Sequence, residues 1–117
     1  MRATCLLLLA AAGLGCAGSG TAPGPLHLTA EAFGPDTRLV LEAAPHLKLN
    51  ARLAPALELT DGSRLRFGAA RRTADSAYFA EPPTAVLPGR HARVHGTLRA
   101  SVCRDDEQVC RTVTVQL

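Results

Sequence analysis

Apolar and polar residues alternate with a period of two through most of this 117-residue chain, the pattern of strands half-buried against a core. It is clearest at the C-terminus. Thr112 to Leu117 alternates strictly, His91 to Val102 reads as the strand before it, and a polar loop joins Cys103 to Cys110. The expectation is a β-hairpin with a cysteine at each shoulder. With Cys103 set opposite Cys110, Ser101 meets Thr112, Arg99 meets Thr114 and Thr97 meets Gln116, while Ala100 faces Val113 and Leu98 faces Val115. That single register gathers Val94, Leu98, Ala100, Val102, Val113, Val115 and Leu117 on one apolar face. Both cysteines then fall on the polar face, near solvent.

Shorter alternating runs fill the rest. Leu26–Ala30 and Leu39–Ala43 flank a turn at Gly34-Pro35-Asp36, and His46–Leu53 alternates between Pro45 and Pro55. Leu57–Leu59 and Leu65–Phe67 flank Asp61-Gly62, a hairpin signal. A two-residue turn there mixes the faces. A three-residue loop, Asp61 to Ser63, sets Leu57 against Phe67 and Leu59 against Leu65, with Gly62 or Ser63 in the left-handed conformation. Ala69–Ser76 is weakly patterned and reads as a loop or short edge. Ala77–Ala80 and Thr84–Leu87 read as short strands interrupted by Pro82-Pro83, as at a sheet edge. About eight short strands with turns every 8–12 residues and no helical period argue for an all-β, antiparallel sandwich.

Composition adds a leader and a compartment. Met1–Gly15 carries Arg2, an apolar run and small residues, the form of a secretory signal, and it is too short to cross a bilayer. Gly15-Cys16 resembles the bacterial lipobox, which makes Cys16 the lipidation candidate. Simple cleavage near Cys16 or Ala22 is the alternative. By resemblance to enteric lipoproteins, Ala17 after the cysteine would favour the outer membrane; residues 16–25 form a small-residue tether and residues 26–117 the folded domain. The expected location is the bacterial cell envelope, facing the periplasm. Cys5 leaves with the leader, so Cys103 and Cys110 are left to pair in an oxidising compartment. Losing Arg2 lowers the formal charge from +3 to +2, and the basic residues are scattered, which argues against nucleic acid as a partner. With no Trp, the core must be built from Leu, Val and Ala.

His46-Leu-Lys-Leu-Asn50, then Pro55 and Leu57-Glu-Leu59, then Gly96-Thr-Leu-Arg-Ala-Ser-Val-Cys103 with Cys110 beyond a short loop, resemble the N-terminal periplasmic domain of the thiol:disulfide interchange protein DsbD and the related disulfide bond corrector domains. The resemblance spans about His46 to Leu117. It implies an immunoglobulin-like sandwich and a redox role for Cys103 and Cys110, which take electrons from a membrane reductase and pass them to thioredoxin-like envelope partners. The family domain shields its disulfide with an aromatic on a capping loop; no segment of this chain matches that loop, and Tyr78-Phe79 is the candidate to take its place. No cofactor is implied.

A thiolate is the attacking species in such exchange, so charge near the pair tunes it. Arg104 and Arg111 would stabilise a thiolate, and Asp105, Asp106 and Glu107 would oppose it. Because the loop is net negative, the expectation is no strongly acidic cysteine and the poise of an electron donor. The alternative is a non-catalytic envelope binding module in which the disulfide only staples the hairpin. Which cysteine attacks first is open at this level. His91 and His95, four apart on the expected strand, point outward with Arg93 and Arg99. They suit a solvated face or an acidic partner better than a metal, and His27 and His46 have no spacing that recommends them as further ligands. No Ser-His-Asp set, phosphate loop or carboxylate pair is present.

Overall fold

The computed structural model describes residues 24–107 and 109–117. The leader, Cys16 and most of the tether lie outside the described residues. Within them there is no helix, and eight strands run in order: β1 Leu26–Phe33, β2 Asp36–Ala43, β3 Leu47–Leu49, β4 Ala56–Leu59, β5 Arg64–Arg66, β6 Thr84–Leu87, β7 Gly96–Arg104 and β8 Cys110–Gln116. They make two antiparallel sheets. One has three strands, ordered β1-β2-β6, and the other has five, built around β7. On one edge of β7, β4 pairs Gly96–Arg99 and β3 pairs Val102–Arg104, while β8 pairs the whole opposite edge from Thr97 to Cys103.

The two sheets face each other across one core, as a sandwich. Leu39 and Leu41 of β2 and Ala85 of β6 meet Leu49, Leu57, Leu98, Ala100 and Val102 from the five-stranded sheet, together with Phe67 just after β5. Leu39, Leu41 and Leu57 are fully excluded from solvent, and each such leucine stabilises the fold by about 1.5–3 kcal/mol relative to exposure. The alternation anticipated for β7 and β8 is the alternation found. Every expected pair from Thr97–Gln116 to Cys103–Cys110 is formed. Between β1 and β2 the turn is two residues, with Gly34 at φ 60°, the left-handed geometry such tight hairpins require.

Four expectations are corrected. The strand before the cysteine loop begins at Gly96, not His91. Residues 88–95 instead form a loop tied to the other sheet: Thr37 Oγ1 donates to Gly89 O (2.8 Å) and accepts from His91 N (2.9 Å). His91 and His95 therefore do not share a strand face. With Arg93 they line an open groove of about 410 Å³ at the Gly96 end of β7, beside Asp61. The run His46–Leu53 forms a strand only over Leu47–Leu49, because Asn50 Oδ1 accepts from Arg52 N (2.9 Å) and bends the chain away.

The Asp61-Gly62 loop has three residues, as expected, but it is Thr60–Gly62. Leu57 pairs with Leu65, a shift of two that keeps the apolar faces matched. Asp61 Oδ1 sets the shift by accepting from Ser63 N (2.8 Å) and Ser63 Oγ (2.6 Å), with Gly62 at φ 91°. Finally, Ala77–Ala80 is not a strand. It contributes only the isolated bridges Asn50–Tyr78 and Arg72–Phe79.

At Gly96 the backbone of β4 comes so close that a β-carbon would collide with the Glu58 carbonyl oxygen, whereas at Gly68 a β-carbon meets nothing within 4 Å. Gly96→Ala should therefore lower stability by about 1–3 kcal/mol, and Gly68→Ala should change it by less than about 0.5 kcal/mol. Chemical denaturation midpoints of the two variants check this contrast.

Candidate functional site: the disulfide end of the central strand

Strands β7 and β8 carry the two cysteines into register, and the pair is joined. The Cys103–Cys110 disulfide spans adjacent strands with a Cα separation of 4.1 Å, the close spacing of a pair without mutual backbone hydrogen bonds. Its two halves are unequal. Cys103 is completely buried, whereas Cys110, at the start of the edge strand β8, is half-buried. The expectation that both sulfurs lie near solvent fails for Cys103, and Cys110 is itself only half-exposed. Cys103 does sit on the polar side of the alternation, with Ser101, but a central strand has neighbours on both edges. Lys48 of β3 lies opposite Cys103 on one side and Cys110 on the other.

That second face is covered in an ordered way. Asn50 hydrogen-bonds Ser101 twice, through its backbone N to Ser101 O (2.9 Å) and through Nδ2 to Ser101 Oγ (3.2 Å). The loop Arg71–Ala80 then folds back along β3: Ala51 N donates to Ala77 O (2.8 Å) and Phe79 N to Leu49 O (3.2 Å). This puts the half-buried Tyr78 ring beneath Lys48, whose Nζ is 4.2 Å from the ring centroid. The loop is held by Asp75, which accepts from Thr73 Oγ1 (2.7 Å) and Ala77 N (3.1 Å). Those bonds, the Thr73 hydroxyl first, keep the Asp75 carboxyl below its ordinary value. The strained position is Ser76, at φ 60°.

The charged residues expected to tune the cysteines are arranged differently from expectation. Arg104 Nε is paired with Asp106 (3.2 Å) and Glu107 (3.0 Å), so its charge is spent on the loop's own acids. The Asp106 carboxyl is correspondingly lowered and Arg104 raised, each by the hydrogen bond and the charge of the other. Asp105 is exposed and anchors the loop through its backbone N, which donates to His46 O (3.0 Å). Strand alternation turns both Arg104 and Arg111 away from the face that carries the sulfurs.

No family model, curated protein or solved structure matches this chain.

Lys48 is the charged neighbour that sequence reasoning missed. It stands in the alternating run His46–Asn50, so its polar-face position was readable. That β3 pairs with the cysteine end of β7 was not, because the pairing joins segments some fifty residues apart. Tyr78 is one of the two aromatics expected to shield the disulfide, and its ring lies under the Lys48 ammonium.

A depressed carboxyl stabilises the form that holds it ionised. The Asp75 contribution is therefore present above its ordinary value of 3.8 and is lost as pH falls through the lower folded-state value. In an acid titration followed by NMR, the Ala77 amide should keep its hydrogen-bonded shift at pH 3.8, where an unperturbed aspartate is half protonated. Asp75→Asn should abolish the acid transition of that amide.

Proposed function

We propose that the chain performs dithiol–disulfide exchange in the bacterial cell envelope, through Cys103 and Cys110. The observation that carries this reading is the asymmetry of the pair. One sulfur belongs to a half-buried residue on an edge strand, and the other is sealed under the sheet's polar face. Exchange needs a single sulfur that an incoming thiolate can reach, and a leaving sulfur that stays with the fold.

In the proposed step a partner's thiolate attacks Cys110 Sγ. The Cys103–Cys110 bond breaks, a partner–Cys110 disulfide forms, and Cys103 departs as a thiolate. The partner's second thiol then attacks its own sulfur in that mixed disulfide and releases Cys110. The partner is left oxidised and the pair reduced, with the partner's two protons passing to Cys103 and Cys110. The reverse sequence delivers electrons to an oxidised partner, with Cys110 as the nucleophile. The resemblance to the DsbD domain supports this assignment and the choice of thioredoxin-like or membrane-reductase partners. The leader and Cys16 support an envelope location with a lipid anchor.

The complete burial of Cys103 also favours a second reading, in which the bridge is a staple in a non-catalytic binding module. Closing so short a loop stabilises by roughly 2–3 kcal/mol on the chain-entropy model.

The two readings separate by trapping. Cys103→Ala removes the thiol that resolves a Cys110–partner disulfide when electrons are delivered, so Cys110 should accumulate adducts with envelope proteins whose own cysteine pair is oxidised. Cys110→Ala should accumulate at least about tenfold fewer, since its remaining thiol is buried. An absence of adducts with both variants, together with unfolding of the native chain on mild reduction, would establish the staple.

A further inference from the structure

Reducing the disulfide creates a difficulty that the fold has to solve. Cys103 is completely buried, and a buried thiolate without a counter-charge is pushed towards its neutral form. The charges at this end of the sandwich come from several elements. From the end of β7 and the loop after it, Arg104 is held by Asp106 and Glu107, and Asp105 is exposed. From the loop that covers β3, Arg71 is paired with Glu81 (3.1 Å), Arg72 lies over the Phe79 ring and Asp75 is held by Thr73 and Ala77. Glu81, and Glu42 of β2, line a groove shared with Lys48. From β8, Arg111 pairs in register with Val102, on the face opposite the sulfurs. From β3, His46 precedes the strand, its carbonyl bound by Asp105 N, and Lys48 lies directly opposite Cys103. Residues opposite each other in an antiparallel pair project to the same face, with β-carbons about 4.5–5.5 Å apart. Among the described residues Lys48 has no carboxylate partner, and its ammonium rests instead on the Tyr78 ring.

We propose that Lys48 is the positioning residue for the leaving sulfur: its ammonium rests on Tyr78 while the disulfide is intact and swings to the Cys103 thiolate when the disulfide opens. This deepens the exchange reading and rests on it for its role in turnover, but the charge coupling itself is a property of the reduced chain alone. It also assigns the order of events. The sulfur beside the cation is the better leaving group, because a lower thiol pKa leaves faster. Attack is thereby directed to Cys110, the partner without an adjacent cation on its face. A ring holds an ammonium without neutralising it, so the lysine stays available, as it would not beside a carboxylate. The arrangement runs against the donor-like poise read from the loop charges, since a cation at Cys103 favours the reduced pair.

The test titrates the two thiols of the reduced chain by the NMR shifts of ¹³C-labelled cysteine β-carbons. In the native sequence Cys103 should titrate below Cys110. Lys48→Met should raise the Cys103 titration by about one unit or more, a tenfold loss of thiolate at a given pH, and Lys48→Arg should restore it. Tyr78→Leu should move it the other way, because the ammonium is released to the sulfur. A merely structural lysine would not produce shifts of opposite sign in these two variants. A measurement on the unaltered chain guards against misfolded variants: the Lys48 ε-carbon should shift on reduction, with a pH midpoint equal to that of Cys103. An unchanged Cys103 titration in a folded Lys48→Met variant, or a Lys48 resonance indifferent to reduction, would overturn the proposal. Should the titrations behave as stated while no partner is trapped, the coupling stands and the exchange reading falls. If partners are trapped but the titration does not move, exchange stands and the lysine has no part in it.

Discussion

Hydrogen bonding along both edges of β7 is the constraint on which the rest of the molecule depends. A strand paired on both sides has its side chains flanked by neighbours on each face, so Leu98, Ala100 and Val102 go into the core while Ser101 and Cys103 are buried on the reverse. The apolar side is stabilised by removal of leucine and valine surface from water. The reverse side has no such gain. It is satisfied by specific polar contacts, the paired Asn50–Ser101 bonds and the Lys48–Tyr78 stack, and no buried side-chain nitrogen or oxygen among the described residues lacks a partner.

This division explains why the disulfide sits where it does. On the inner face a bridge would displace core volume from a sandwich that has only three phenylalanines, one tyrosine and no tryptophan to fill it. On the outer face it joins β7 to an edge strand, leaving one cysteine sealed and the other half-buried. The short loop between the cysteines is stiffened by its own ion pairs, Arg104 with Asp106 and Glu107. These are exposed and individually weak, so the loop's geometry rests more on the hairpin than on its charges.

Much of this was legible in the chain, and the gaps have physical causes. The β7–β8 register could be read from alternation alone because a one-residue slip would have turned Leu98, Ala100 and Val102 out of the core. The loop at Asp61 was located with the right length but moved by one residue, since the side chain of Asp61 competes with the backbone for Ser63 and settles the turn locally. The segment His91–His95 alternates as a strand would, yet its backbone is drawn to Thr37 on the opposite sheet, a tertiary bond that no local pattern encodes. Within the site, the bonded pair was readable and its burial was not. Burial of Cys103 follows from which strands flank β7, and only the assembled sheet places Lys48 there.

One edge of β7 is shared by two short strands laid end to end. β4 pairs the half that carries Leu98, and β3, only three residues long, pairs the half that carries Val102 and Cys103. The junction falls at Ala100 and Ser101, where β8 runs unbroken along the other edge and Asn50 N reaches across to Ser101 O (2.9 Å). Each half of β7 therefore takes its second neighbour from a different segment of the chain, so the surroundings of Cys103 and those of Leu98 are set by different stretches of sequence.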